Sequence, residues 1–82
     1  MSLEKEFEEN MELRVLLLGL YKKQEDESFN DIVGVMEESR VFTKKVGKKY
    51  LKNLKELNYI VDDSFTMIGI SKAKEVEQEF RL

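Results

Sequence analysis

Apolar residues recur at helical spacing through the first quarter of the chain. Leu3, Phe7, Met11, Val15 and Leu18 form a stripe, joined by Leu13, Leu16, Leu17 and Leu20. Steps of three and four residues predict one helix over about 3–22, acidic and exposed in its first half and nearly all apolar in its second. The second half is expected to be the most buried part of the protein. Lys22 and Lys23 fall in its last turn, where cations suit the helix dipole. Residues 24–27 are polar and read as a loop. Ser28 then precedes Asp31 by three residues, a variant of the capping box, and Ile32, Val33, Val35 and Met36 supply an apolar face. A short second helix over about 29–37 follows.

Residues 39–42 break the periodicity, and Thr43 is a good N-cap for a third helix reaching about Leu57. At about 100° per residue, Val46, Gly47, Tyr50, Leu51, Leu54 and Leu57 fall within an arc of about 140°. Gly47 lies at the edge of that arc, which suggests close approach by the second helix, because glycine inside a helix otherwise costs about 1 kcal/mol against alanine. Asn58 stands where a helix ends in a left-handed residue, a place taken by Gly first and Asn next. Tyr59-Ile60-Val61 reads as a strand, Asp62-Asp63-Ser64 as a tight turn and Phe65-Thr66 as a short returning strand. Thr66 can cap a last helix over about 67–80, with Ile70, Ala73, Val76 and Phe80 inward. The predicted order is α-α-α-β-β-α: mainly α with a small hairpin, in one domain covering 1–82.

Composition agrees with that picture. Eighty-two residues allow one small domain, and no proline where average usage gives about four tilts the reading toward helix. Hydrophobic residues make up 41% and charged residues 38%, enough for one core with a charged exterior. A second chain would extend so small a core, so a homodimer is expected. The acidic stretch 1–12 is read either as a dimerisation arm or as a solvated extension. The longest apolar run, around residues 15–21, is far below the roughly 20 residues of a membrane span, and a signal peptide needs a basic start where this chain has Glu4-Lys5-Glu6. The expectation is a soluble, cytoplasmic protein that does not engage membrane.

Charge changes the picture most. Between Arg40 and Lys55 the chain carries seven positive residues, Arg40, Lys44, Lys45, Lys48, Lys49, Lys52 and Lys55, and no negative one. The preceding 39 residues hold four basic and eleven acidic side chains, and the last 27 hold three and six, within a net charge of −3. On the helical wheel the lysines fill most of the arc opposite the apolar one. No carboxylate is interleaved at i+4 spacing until Glu56, which is a poor way merely to solubilise a helix. A basic block inside an acidic protein points to a polyanion, with nucleic acid first.

Leu54-Lys55-Glu56-Leu57-Asn58-Tyr59-Ile60 and Thr66-Met67-Ile68-Gly69 followed by Ala73, set in this element order, resemble the winged helix-turn-helix domains of bacterial and archaeal transcription regulators. The first resembles the family's passage from recognition helix into wing; the second resembles its Leu-Thr-x-x-Gly after the wing. The resemblance covers about residues 13–80. It departs in three places: Asn58 for the usual Gly, a longer connection between second and third helices, and a wing tipped by Asp62-Asp63, which phosphate should repel. It implies a DNA-binding regulator whose third helix enters the major groove with its first turns foremost. On this chain that maps to Thr43, Lys44, Lys45, Lys48 and Lys49, with Lys52 nearer the backbone and Arg40 within reach of a phosphate. Lysines act as point charges on phosphate, whereas bidentate reading of guanine favours Arg, so binding dominated by phosphate contacts is expected. The alternative is a winged-helix protein-interaction module whose third helix meets an acidic protein surface. A basic amphipathic helix lying on anionic membrane ranks below both, because its apolar face is committed to the core.

Other chemistries find little support. Without Cys or His there is no disulfide framework, no ordinary zinc or haem site, no thiol nucleophile and no imidazole base. Glu25-Asp26-Glu27 with Asp31 lacks the alternating oxygen spacing and Gly of a calcium loop and reads as a polar turn. Asp62 and Asp63 are adjacent in a turn rather than held across a cleft. Neither an enzyme nor a cofactor is expected. Phe7, Met11, Phe29, Met36, Phe42, Phe65, Met67 and Phe80 are better read as core filling than as the lining of a ligand pocket.

Overall fold

The computed structural model describes residues 2–81, so Met1 and Leu82 of the expected 1–82 domain lie outside the described residues. The expected first helix is two helices, α1 (Leu3–Glu9) and α2 (Met11–Tyr21), broken at Asn10. Asn10 has φ −107° and ψ 103°. Its backbone N–H closes α1 on the Phe7 carbonyl, and its side-chain oxygen caps α2 by accepting the Leu13 N–H at 3.2 Å. A short polar side chain that satisfies an orphan N–H locally competes with helix continuation, and here it wins.

That break redirects α1. Glu4, Glu6, Glu8 and Glu9 are exposed, as expected of the acidic stretch, but Phe7 is turned inward and has no exposed surface. Its ring meets Tyr59 edge to face at 5.3 Å, and the Lys72 ammonium lies 5.8 Å from its centroid. The acidic stretch, read as a dimerisation arm or a solvated extension, is thus docked on the domain through Phe7. Met11, expected to fill the core, is 61% exposed because the break turns it outward.

Helix α2 is the buried centre, as its sequence indicates: Leu13, Leu16, Leu17 and Leu20 are all buried. Its last turn holds no cation, since Lys22 is the C-cap. Around it pack α3 (Phe29–Glu38), α4 (Lys44–Glu56) and α5 (Met67–Glu79). The α3 capping box is complete, Ser28 and Asp31 exchanging bonds of 3.1 and 2.9 Å. Both α3 and α4 end in the same device. Arg40 (φ 61°) and Asn58 (φ 64°) take the left-handed position, and the next residue donates back to the carbonyl five before it, Val41 to Met36 and Tyr59 to Leu54. Asn58 was legible in that role; Arg40 was not, since arginine gains nothing from a left-handed backbone.

Strands β1 (Ile60–Val61) and β2 (Ser64–Phe65) pair antiparallel, with Ile60 opposite Phe65 and Val61 opposite Ser64. Asp62 and Asp63 form the two-residue turn, Asp62 at φ 51°. Thr66 caps α5 by accepting the Gly69 N–H at 2.9 Å. The inner face of α5 differs from the expected one: Gly69, Ala73 and Val76 are buried, whereas Ile70 and Phe80 are each more than one-third exposed. Gly69 explains the rotation. A Cβ there would fall on the Tyr59 carbonyl, so the backbones meet at that point and α5 presents its small residues to the core. Met67, also expected in the core, is left 88% exposed. The protein is mainly helical with a small antiparallel hairpin after its fourth helix.

Candidate nucleic-acid interface

Helix α4 is fastened along one side, and the fastening fixes which way its lysines point. Thr43 accepts the Val46 N–H at 3.2 Å and sets the start of the helix. Gly47 lets α3 and the preceding turn approach: a Cβ there would lie 2.6 Å from a Val33 methyl and 2.7 Å from the Phe42 ring. Tyr50 stacks edge to face on Phe42 at 5.5 Å, and its hydroxyl donates to Glu12 Oε1 at 2.7 Å while accepting from Asn10 Nδ2 at 3.4 Å. Burial raises the Tyr50 phenol above its ordinary 10.0; the Asn10 bond opposes this and Glu12 adds to it. Asn53 and Leu54 complete the buried side.

The opposite side belongs to the lysines. Lys44, Lys45, Lys48, Lys49, Lys52 and Lys55 are all exposed. On the wheel Lys45 and Lys52 lie at the summit; Lys44, Lys48 and Lys55 flank it toward α3, and Lys49 flanks it toward the α1–α2 break. The ion pairs among the described residues join Arg14 to Glu79, Lys22 to Glu77, and Lys72 to Glu8 and Glu75; no α4 lysine takes part in one. These ammonium groups form a ridge of unneutralised point charge.

The remaining expected site residues differ in kind. Arg40 is exposed in the turn ahead of α4. Thr43 is exposed, but its oxygen is committed to capping, leaving only its proton for an outside acceptor. Two neighbours were not foreseen. The Glu37 carboxylate accepts the Lys44 N–H at 3.1 Å, so the α4 N-terminus is already occupied by an anion, and a polyanion must bind through side chains. Glu12 borders the ridge through Tyr50. Neither lies at a capping-box spacing that sequence reasoning could use. Asp62 and Asp63 are exposed at the tip of the hairpin that follows α4.

No helix among the described residues is long and apolar enough to cross a membrane. Comparison with protein-family models, with curated proteins and with solved structures gives no match to this chain.

Proposed function

We propose that the protein is a small DNA-binding regulator of the winged helix-turn-helix kind, holding duplex DNA mainly by its phosphates with α4. One observation carries the reading: six exposed lysines on a single helix, none of them paired with a carboxylate among the described residues. The hairpin directly after that helix supports it, since the resemblance places a wing there. Lys44, Lys45, Lys48 and Lys49 take the leading contacts, Lys52 and Arg40 the flanking ones. Lysine offers no fork for a base edge, so affinity exceeds sequence discrimination.

The test is fluorescence anisotropy with a labelled duplex over a salt series. Five lysine–phosphate contacts imply a log–log slope of about −4.5, or roughly a 500-fold loss of affinity between 50 and 200 mM salt. Lys44→Glu with Lys48→Glu should remove two contacts, abolish measurable binding at moderate salt and leave the circular dichroism unchanged. Failure to bind any duplex at low salt, or binding unaffected by that double change, defeats the proposal. Capture of an acidic protein by the same lysines without DNA binding would instead support the interaction-module reading.

A further inference from the structure

The side of the molecule formed by α5, the α4–β1 turn and the start of α1 carries apolar surface for which the core has no use. Thr66 fixes the start of α5, and Gly69, Ala73 and Val76 are the residues it buries. Met67 and Ile68, its first two positions, are 88% and 62% exposed, and Ile70 follows. The first turn of a helix favours carboxylates, yet α5 has none there. From residue 71 onward the outer side of the same helix is Ser, Lys, Glu and Gln. A merely solvated helix start would not concentrate large apolar side chains at the three outward positions of one turn.

Met67 and Ile68 border a concavity of about 620 Å³ whose wall continues through Leu57 and Tyr59 and whose rim carries Glu4 and Glu75. The size suits inserted side chains. Its charge is lopsided. Among the described residues Lys72 is the one cation lining it, and Lys72 is held by Glu8 at 2.5 Å and Glu75 at 3.7 Å. Three carboxylates therefore face one ammonium. The Tyr59 phenol responds to the same field: burial raises it above 10.0, Lys72 pulls it back, and Glu4, Glu8 and Glu75 push it up.

We propose that this groove docks an amphipathic helix of a partner protein, whose apolar side covers Met67 and Ile68 and whose flanking Lys or Arg residues meet Glu4 and Glu75. A second copy fits poorly. Helix α4, its one strongly basic element, already buries its apolar side and has nothing to insert. A two-fold contact of groove on groove would bring like carboxylates together. The site lies on other elements than the α4 lysine ridge and does not depend on DNA binding.

The test uses the full chain and a labelled synthetic helix of leucine and lysine at amphipathic spacing, followed by anisotropy at physiological salt, with a leucine–glutamate helix as control. Saturable binding of the lysine helix alone is expected. Met67→Ser with Ile68→Ser, both exposed positions, should weaken it about tenfold or more without altering the thermal melt. Glu4→Gln with Glu75→Gln should weaken it and flatten its salt dependence, whereas Lys44→Glu with Lys48→Glu should leave it intact. Three results overturn the proposal: unchanged binding by the serine variant, equal binding of the glutamate helix, or self-association in sedimentation that the serine variant abolishes, which would seat a second copy on the patch.

Discussion

Replacing Phe7 with Ala asks whether the acidic N-terminal helix is part of the domain or an appendage. Phe7 has no exposed surface, packs edge to face on Tyr59, and lies beneath the Lys72 ammonium. Truncating a buried phenylalanine costs about 3–5 kcal/mol, within which an aromatic pair of this geometry accounts for about 0.5–1.5 beyond its area. The loss has a ceiling, because α1 can simply leave. A helix of seven residues has no stability of its own in water, so undocking and unfolding of α1 are one event. Removal of residues 1–9 should then cost about as much as Phe7→Ala.

We expect a loss of about 3 kcal/mol from either change. A domain of this size has a stability of roughly 4–12 kcal/mol, so the midpoint should fall by roughly 12–24 °C. Urea unfolding followed by circular dichroism measures it. If α1 undocks in the native variant, the urea slope should also shrink, because less surface remains to be exposed. A loss below about 0.5 kcal/mol with an unchanged slope would mean that Phe7 anchors nothing and that the stretch is a solvated extension after all.

Gly69→Ala should lower stability by about 1–3 kcal/mol despite the better helix propensity of alanine, because the new methyl meets a backbone carbonyl that cannot rotate away; chemical denaturation checks it, and a gain would refute the close approach. Stability should also fall in alkali. The pKa values of Tyr50 and Tyr59 are raised above 10.0, mainly by burial, and that of Lys72 above 10.5, first by its bond to Glu8, so the folded chain holds these protons longer than the unfolded one. Their contribution is complete below those ordinary values and is lost as pH rises through the folded ones. Tyr59→Phe should flatten the alkaline limb of a pH series of thermal melts, and an unchanged limb would refute the assignment.

How far the fold was legible depended on whether a residue's role was local. Ser28 with Asp31, Thr43, Asn58 and Thr66 each act within a few residues of themselves, and each does what its position predicts. The lysine side of α4 was legible for the same reason: a strongly two-sided helix orients itself once one side can be buried. Roles set by distant contacts were not. The stripe through residues 3–18 continues across Asn10 without a gap, so periodicity alone joins α1 to α2; the Asn10 cap and the distant docking of Phe7 on Tyr59 together hold the break. The inner side of α5 was misjudged because residue size pointed to Ile70 and Phe80, whereas the approach to the Tyr59 backbone requires Gly69. Phe80 instead lies near Arg14, whose guanidinium is 6.0 Å from its ring and 2.7 Å from Glu79. Glu37 reaches the Lys44 N–H only because of how the turn between α3 and α4 folds back.

The separation of charge bears on how a duplex could approach. Outside residues 40–55 the chain has seven basic and seventeen acidic residues, and the whole molecule is about 30 by 28 by 26 Å. At 0.1 M salt the Debye length is about 10 Å, so carboxylates on the far side are largely screened from a phosphate at the ridge. Nearer ones are not. Glu37 at the head of α4 and Glu12 beside Tyr50 border the basic surface, and Asp62-Asp63 are exposed at the tip of the hairpin that follows it. If α4 holds a duplex as proposed, these carboxylates favour contact through one helix face, and the acidic hairpin tip would not add phosphate contacts as a basic wing would. On that reading the contacts are capped near the five lysines Lys44, Lys45, Lys48, Lys49 and Lys52, which is why a salt slope of about −4.5 is expected rather than one twice as steep. Asp62→Lys with Asp63→Lys should steepen that slope by making the tip basic. A slope that stayed the same would mean that the hairpin tip lies clear of the duplex.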